Sequence, residues 1–198
     1  MQGGDILYSP PMLDQLTIKS SQNHSRIQPM KTVIRQANPE DAALMIAYVQ
    51  RLVEEPGVDI QLSPGEFTLT VAEEQQIIAD YAASGNSLFL IAEVDGQIAG
   101  MLTCRGGHRR SIQHVTTLGM SVDKDWRDQG LGSLLMEHAV EWARRSGVVR
   151  RIELYVFARN ARAIHLYQKY DFQIEGKLQR AIYKEGEYHD NLIMALLL

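Results

Sequence analysis

From Thr32 onward, the apolar positions along the chain switch between a period of two and a period near 3.6. Thr32–Ala37 reads as a short strand. Asn38-Pro39-Glu40-Asp41 reads as a helix start, with a capping side chain, proline at the first helical position and acids at the positive helix end. Met45, Tyr48 and Leu52 continue at helical spacing until Pro56-Gly57 ends the run. Thr70-x-x-Glu73 is a capping box ahead of Ile77, Ile78 and Tyr81, with Gly85 as a stop. The period then changes. SLFLIAEV and QIAGMLT read as two strands joined by Asp95-Gly96, a hairpin signal. HVTTLGMSV reads as a third strand, and the glycine inside it, Gly119, suggests a bulge or a close backbone approach. Leu131, Leu134, Leu135, His138 and Trp142 mark one face of a helix stopped by Gly147. RIELYVF is a strand. Asn160 caps a helix carrying Ala163, Leu166, Tyr167 and Tyr170 on one stripe. FQIEGKLQRAIY, a turn at Gly186 and NLIMALLL read as a closing antiparallel pair. The order β-α-α-β-β-β-α-β-α-β-β predicts an α/β layered domain: a mixed sheet with helices on its faces.

Residues 1–29 show no sustained period and carry Gly-Gly, Pro-Pro and Ser-Ser. They read as a flexible or loosely docked extension, with Met30 as a candidate start. The division expected is an extension of residues 1–30 and one domain over 31–198. A length of 198 residues suits a single domain, and 45% hydrophobic with 22% charged residues is ordinary for a globular chain. No apolar run approaches the ~20 residues of a membrane helix, so no membrane partner is expected. The single cysteine, Cys104, rules out an intrachain disulfide and fits a reducing, cytoplasmic setting. The net charge of −4 argues against nucleic acid as a partner. That charge is unevenly spread. Glu40–Asp80 carries nine acids and one base, for −8; Lys124–Arg180 carries eleven bases and seven acids, for +4. The division suggests two solvated faces, or a site with an anionic partner on one side and a cationic one on the other.

RDQGLG (residues 127–132) stands between a strand and a helix. The first amides of a helix lack internal partners and attract anions, and glycine leaves them uncovered. Spacing separates the motifs that use this device. The dinucleotide fingerprint needs a small residue at 135, where this chain has Leu135, which makes a nicotinamide oxidoreductase a distant reading. The NTPase phosphate loop needs Gly-Lys-Ser/Thr, whereas Gly132 is followed by Ser133 and Leu134. What remains is R/Q-x-x-G-x-G/A, met by Arg127, Gly130 and Gly132.

With these residues the chain resembles the GNAT family of acetyl-CoA-dependent N-acetyltransferases, from about Lys31 to the C-terminus. VFARNARAIHLYQKYDF (156–172) is similar to the family's N-x-x-A-x-x-L-Y-x-x-x-G-F through Asn160, Ala163, Leu166, Tyr167 and Phe172. EGKLQRAIYKEGEYHDNLIMALLL resembles its closing hairpin. Asp171 departs from the family's glycine; the position ends a helix, where a left-handed backbone is expected and Asp is tolerated at modest strain.

The resemblance implies a mixed, mostly antiparallel central sheet flanked by helices. It implies acetyl-CoA as cosubstrate, no metal, and direct transfer to a primary amine: a polyamine, amino sugar, amino acid derivative or protein amino terminus. A homodimer is one assembly it allows. The CoA pyrophosphate would lie on amides of Gln129, Gly130, Leu131, Gly132 and Ser133, beside Arg127 and Asp128. Met120 and Val122, on the strand Leu118–Val122, would present backbone to the pantetheine arm, with Gly119 marking a bulge that splays the sheet. Asn160 would cap its helix and touch the same arm. Tyr167 would be the general acid for the departing thiolate. For the base, the chain offers Glu66, in the acidic segment, and His114, ahead of the third core strand; a water chain is the other route. Cys104 reads as a buried small hydrophobe, not an acyl carrier. A non-catalytic acyl-CoA-binding module is the alternative; it would keep the loop without needing Tyr167.

Overall fold

The computed structural model describes residues 16–17 and 31–198. The expectations for the rest of the first 30 residues, including the candidate start at Met30, lie outside the described residues. The strands are β1 (Leu16–Thr17), β2 (Lys31–Gln36), β3 (Leu88–Val94), β4 (Gln97–Gly106), β5 (Val115–Val122), β6 (Arg151–Phe157), β7 (Gln173–Lys184) and β8 (Glu187–Leu197). The helices are α1 (Ala42–Val53), α2 (Val71–Ala83), α3 (Leu131–Arg145) and α4 (Ala161–Lys169). From Lys31 on, this is the order expected from the pattern. The strands form one sheet in the order β1-β2-β3-β4-β5-β6-β8-β7, antiparallel except for the parallel pair β5–β6. The two-residue β1 pairs with β2, Leu16 opposite Thr32.

Local signals explain several joints. Asp95 and Gly96 both take positive φ (48° and 81°), as a tight hairpin turn with right-handed strand twist requires. Thr70 and Glu73 cap α2 reciprocally: Glu73 N–H donates to Thr70 Oγ1, and Thr70 N–H donates to Glu73 Oε2. Asp171 takes φ 65°, the left-handed helix exit anticipated above. The start of the first helical segment has the expected Asn38, Pro39 and acids, with a further partner added. A short 3-10 turn, Pro39–Asp41, precedes α1, and the Asn38 N–H donates to the Asp41 carboxylate at 2.9 Å. Arg35 holds that carboxylate from β2 with two bonds of 2.7 and 2.8 Å. An acid held by an arginine is a stronger acceptor than an amide, so the Asp41 carboxylate completes the cap.

Side-chain alternation buries both faces of the central strands. Leu90, Ala92, Leu102, Cys104 and Leu118 join the cluster under α3 and α4. Phe89, Ile91 and Met101 join Met45, Tyr48, Ile78 and Tyr81 under α1 and α2. A strand covered on two sides reads as a continuous apolar run, as LFLIA does. The stripe of α3 is rotated from the expected one. Leu131, Leu135, Met136, Ala139, Val140 and Ala143 are buried, whereas Leu134, His138 and Trp142 lie at its margin. The alanines let α3 approach the sheet closely, which large residues on that line would prevent.

Gly119 is not at a bulge. The β4–β5 register runs without interruption from Gly100–Val122 to Gly106–Thr116, and Gly119 sits opposite Thr103. A Cβ there would meet Thr103 Oγ1 at 3.2 Å. The opening lies on the other side of the strand. β5 pairs with β6 only over Val115–Leu118, so from Gly119 onward the two strands part.

Candidate active site

Where β5 and β6 separate, a cleft of about 920 Å³ opens at their carboxyl ends, the usual place for a ligand in an open α/β sheet. It touches both layers. On one side are the start of α3 and the face of α4; on the other are the 57–61 loop, Tyr81, Thr103 and Arg105.

The α3 mouth leaves backbone donors open. Gly130 takes φ 85°, a conformation that L side chains rarely adopt, and this turn aims the helix N-terminus at the cleft. The first backbone bond into the helix is Leu134 N–H to Gly130 O; the amides of residues 129–133 have no protein acceptor among the described residues. The first turn of α3 holds no acid, so its positive end is uncompensated. Gly132 has a packing reason as well: a Cβ would meet Leu166 Cδ2 of α4 at 3.2 Å.

Met120, Val122, Asp128, Gly130, Gly132, Ser133, Asn160 and Tyr167 all line the cleft. Leu131 is buried in the core and Gln129 turns its amide to Asp125 O (2.7 Å), so each can offer only backbone. Asn160 Oδ1 accepts from Ala163 N–H at 3.0 Å and caps α4. Tyr167 is 6% exposed, its ring against Phe172. Burial pushes its phenol up to about 12, so it is protonated at neutral pH. Among the described residues its hydroxyl has no protein partner, and it is not sealed in, which leaves it facing the cleft.

Three of the expected residues sit differently from the rest. Arg127 lines the cleft, but its guanidinium is not an open cation. It donates to Val122 O at 2.9 Å and grips both oxygens of Glu55. Glu66 is exposed and outside the cleft, and its carboxylate accepts from Ser63 N–H at 2.7 Å within its own turn. His114 is exposed at the far end of β5, where its carbonyl accepts from Arg150 and Arg151. The acidic segment also fails to make an acidic pocket. Its two carboxylates in the cleft are both paired, Glu55 with Arg127 and Asp59 with Arg159. Charge counted along a chain says nothing of which charges fold against each other.

The cations that do stand at the α3 mouth were not singled out from sequence. Arg162 and Lys169, both exposed on α4, line the cleft. Among the described residues Arg162 makes only a loose 3.5 Å contact with exposed Asp128. Their spacing of seven, two helical turns, placed them beside Leu166 and was the available signal. Lys184 was also missed. It is buried and donates to Val58 O (2.8 Å) and Ile60 O (3.2 Å), tying the β7–β8 hairpin to the loop that walls the cleft. Cys104 is fully buried, and burial pushes its thiol up to about 12, which disfavours the thiolate.

A profile of the Acetyltransferase (GNAT) family matches residues 57–172, more than half of the chain. The chain belongs to the GNAT acetyltransferase family. It is 41% identical over 106 residues to the L-amino acid N-acetyltransferase AaaT of Escherichia coli, a match covering 54% of this chain and 65% of AaaT. A GNAT-family acetyltransferase from Streptococcus pneumoniae superposes with a TM-score of 0.82 at 38% identity, covering 84% of this chain and 99% of that one. YncA of Salmonella typhimurium, solved with its cofactor acetyl-CoA, shares the fold: TM-score 0.71, 20% identity, 84% and 94% coverage. The GNAT motif segments at 127–132 and 160–172 therefore face each other across one cleft, which sequence order alone does not require. Among the described residues no helix is long and apolar enough to cross a membrane.

Proposed function

We propose that this GNAT acyltransferase, as a domain over 31–198, passes an acetyl group from acetyl-CoA directly to a small primary amine in a ternary complex. The observation that carries the reading is the set of unpartnered amides at 129–133, opening on the same cleft as the Tyr167 hydroxyl. Five N–H groups at an uncompensated helix end suit a diphosphate. Arg162 and Lys169 add mobile positive charge beside them. Acetyl-CoA, when bound, supplies an activated thioester.

Tyr167 holds the proton that the departing sulfur needs as the new C–N bond forms and the C–S bond breaks. A phenol kept neutral by burial is suited to that donation. The surplus amine proton goes to water, since Glu55 and Asp59 are each held by an arginine. The likeness to AaaT favours a small acceptor over a protein amino terminus. A cytoplasmic setting keeps the lone thiol reduced.

Two measurements test this. Calorimetry with CoA should give heat, and acetyl-CoA with a panel of primary amines should release free thiol. Heat without thiol release for any amine would favour the acyl-CoA-binding module; no heat would overturn the reading.

A further inference from the structure

Three arginines line the cleft: Arg127 is neutralised by Glu55, and Arg162 touches Asp128 at 3.5 Å. The third is Arg105. It lies near the end of β4, opposite Thr117 of β5, and lines the cleft. Its Nε donates to Tyr81 Oη at 3.2 Å, and its guanidinium carbon sits 5.8 Å from the centroid of that ring. Both terminal nitrogens lack a protein acceptor, and no carboxylate among the described residues lies within ion-pair distance. The base of the fork is thus anchored while its two prongs stay open.

We infer that Arg105, steadied by Tyr81, holds the carboxylate of an amino-acid acceptor. A planar guanidinium matches a carboxylate with two parallel hydrogen bonds, and an ammonium does not. A polyamine or amino sugar would place positive charge against an unpaired arginine, an arrangement this mouth disfavours. An α-amino acid held by its carboxylate is fixed two bonds from its nitrogen, so one contact both selects the acceptor and orients the attacking amine. The paired states of Glu55 and Asp59 fit this, because an open carboxylate beside Arg105 would compete for the same prongs.

This inference rests on the N-acetyltransferase reading, and the experiment separates the two. Common L-amino acids are each compared with their own α-carboxamides, by thiol release from acetyl-CoA and by calorimetric binding to the CoA-saturated protein. The free acids should be preferred roughly 10–100-fold in kcat/KM, the range of a hydrogen bond to a charged group. Arg105→Gln should bring that ratio close to one through KM, with the affinity for acetyl-CoA unchanged. Arg105→Lys should restore part of it, and Tyr81→Phe should lower it less than Arg105→Gln does. Thiol release with an acid-to-amide ratio that Arg105→Gln leaves intact, or a preference for amides, overturns the carboxylate site and leaves the transferase. Carboxylate-dependent binding lost in Arg105→Gln, without thiol release, supports the site and overturns the transferase. Absence of both overturns both.

Discussion

Arg127 grips the carboxylate of Glu55 with both terminal nitrogens, joining residues 72 positions apart in the chain. The third donor of the same guanidinium goes to the last carbonyl of β5, Val122 O. The first residue of the glycine-loop motif is therefore a strut. It fixes where β5 ends and the loop begins, and it holds the segment after α1 against them. The amides of 129–133 are presented from this frame.

Removing one partner should therefore cost more than removing both. Glu55→Gln leaves a partly buried guanidinium without its counter-charge, at about 1–3 kcal/mol. Urea unfolding of the single variant and of Glu55→Leu/Arg127→Met measures this. The double variant should recover part of the loss, and strictly additive losses would show that the pair is not coupled.

Tyr167→Phe should lower kcat by roughly 10²–10⁴ while leaving CoA binding intact. The hydroxyl has no protein partner among the described residues, so the variant should melt within a degree or two of the parent. Unchanged turnover would remove the proton-donor role.

The two loop glycines should fail differently. Gly130→Ala has open space around its Cβ but must keep φ 85°, a strain of about 1–2 kcal/mol. Gly132→Ala has an ordinary backbone and instead presses on Leu166, shifting that side chain and α4 away from the α3 mouth. Thermal melting should register the first more strongly. Calorimetry with CoA should register the second.

Glu66→Gln and His114→Gln should each leave kcat/KM within about twofold of the parent, because neither side chain reaches the cleft. A tenfold fall in either, with stability unchanged, would restore it as a candidate base.

Stability should decline in alkali. Burial raises Tyr48, Tyr167 and Cys104 each to about 12 in the folded chain. The unfolded chain releases these protons near its ordinary values of about 10 and 8.5. A raised folded value adds stability that is complete below the unfolded one and fades as pH climbs towards 12. Unfolding free energies between pH 8 and 11 should fall accordingly. Below about pH 11, Tyr167 should impose no alkaline loss of activity; the rate should follow the ionisation of the amine.

Much of the fold was legible because it is written locally. The Asp95-Gly96 turn, the Thr70–Glu73 cap and the left-handed exit at Asp171 each depend on residues within four positions. The glycine loop was legible for the same reason, since a helix N-terminus is made by consecutive amides. The rotated stripe on α3 marks the limit. Leu134 and Trp142 have the right period, but the sheet accepts the alanine side, a choice made by the closeness of packing and not by hydrophobicity.

The sequence by itself determined the element order from Lys31 and the motif pair at 127–132 and 160–172, with Tyr167 inside the second. Tertiary structure alone decided which charges were left unpaired. Among the described residues Arg127 meets Glu55, Arg159 meets Asp59, Lys184 reaches Val58, and Arg105 meets only Tyr81. The physical reason is one of range. Backbone conformation is chosen by neighbours a turn away, whereas an ion pair forms only between groups that folding has brought within a few ångströms, from any distance along the chain.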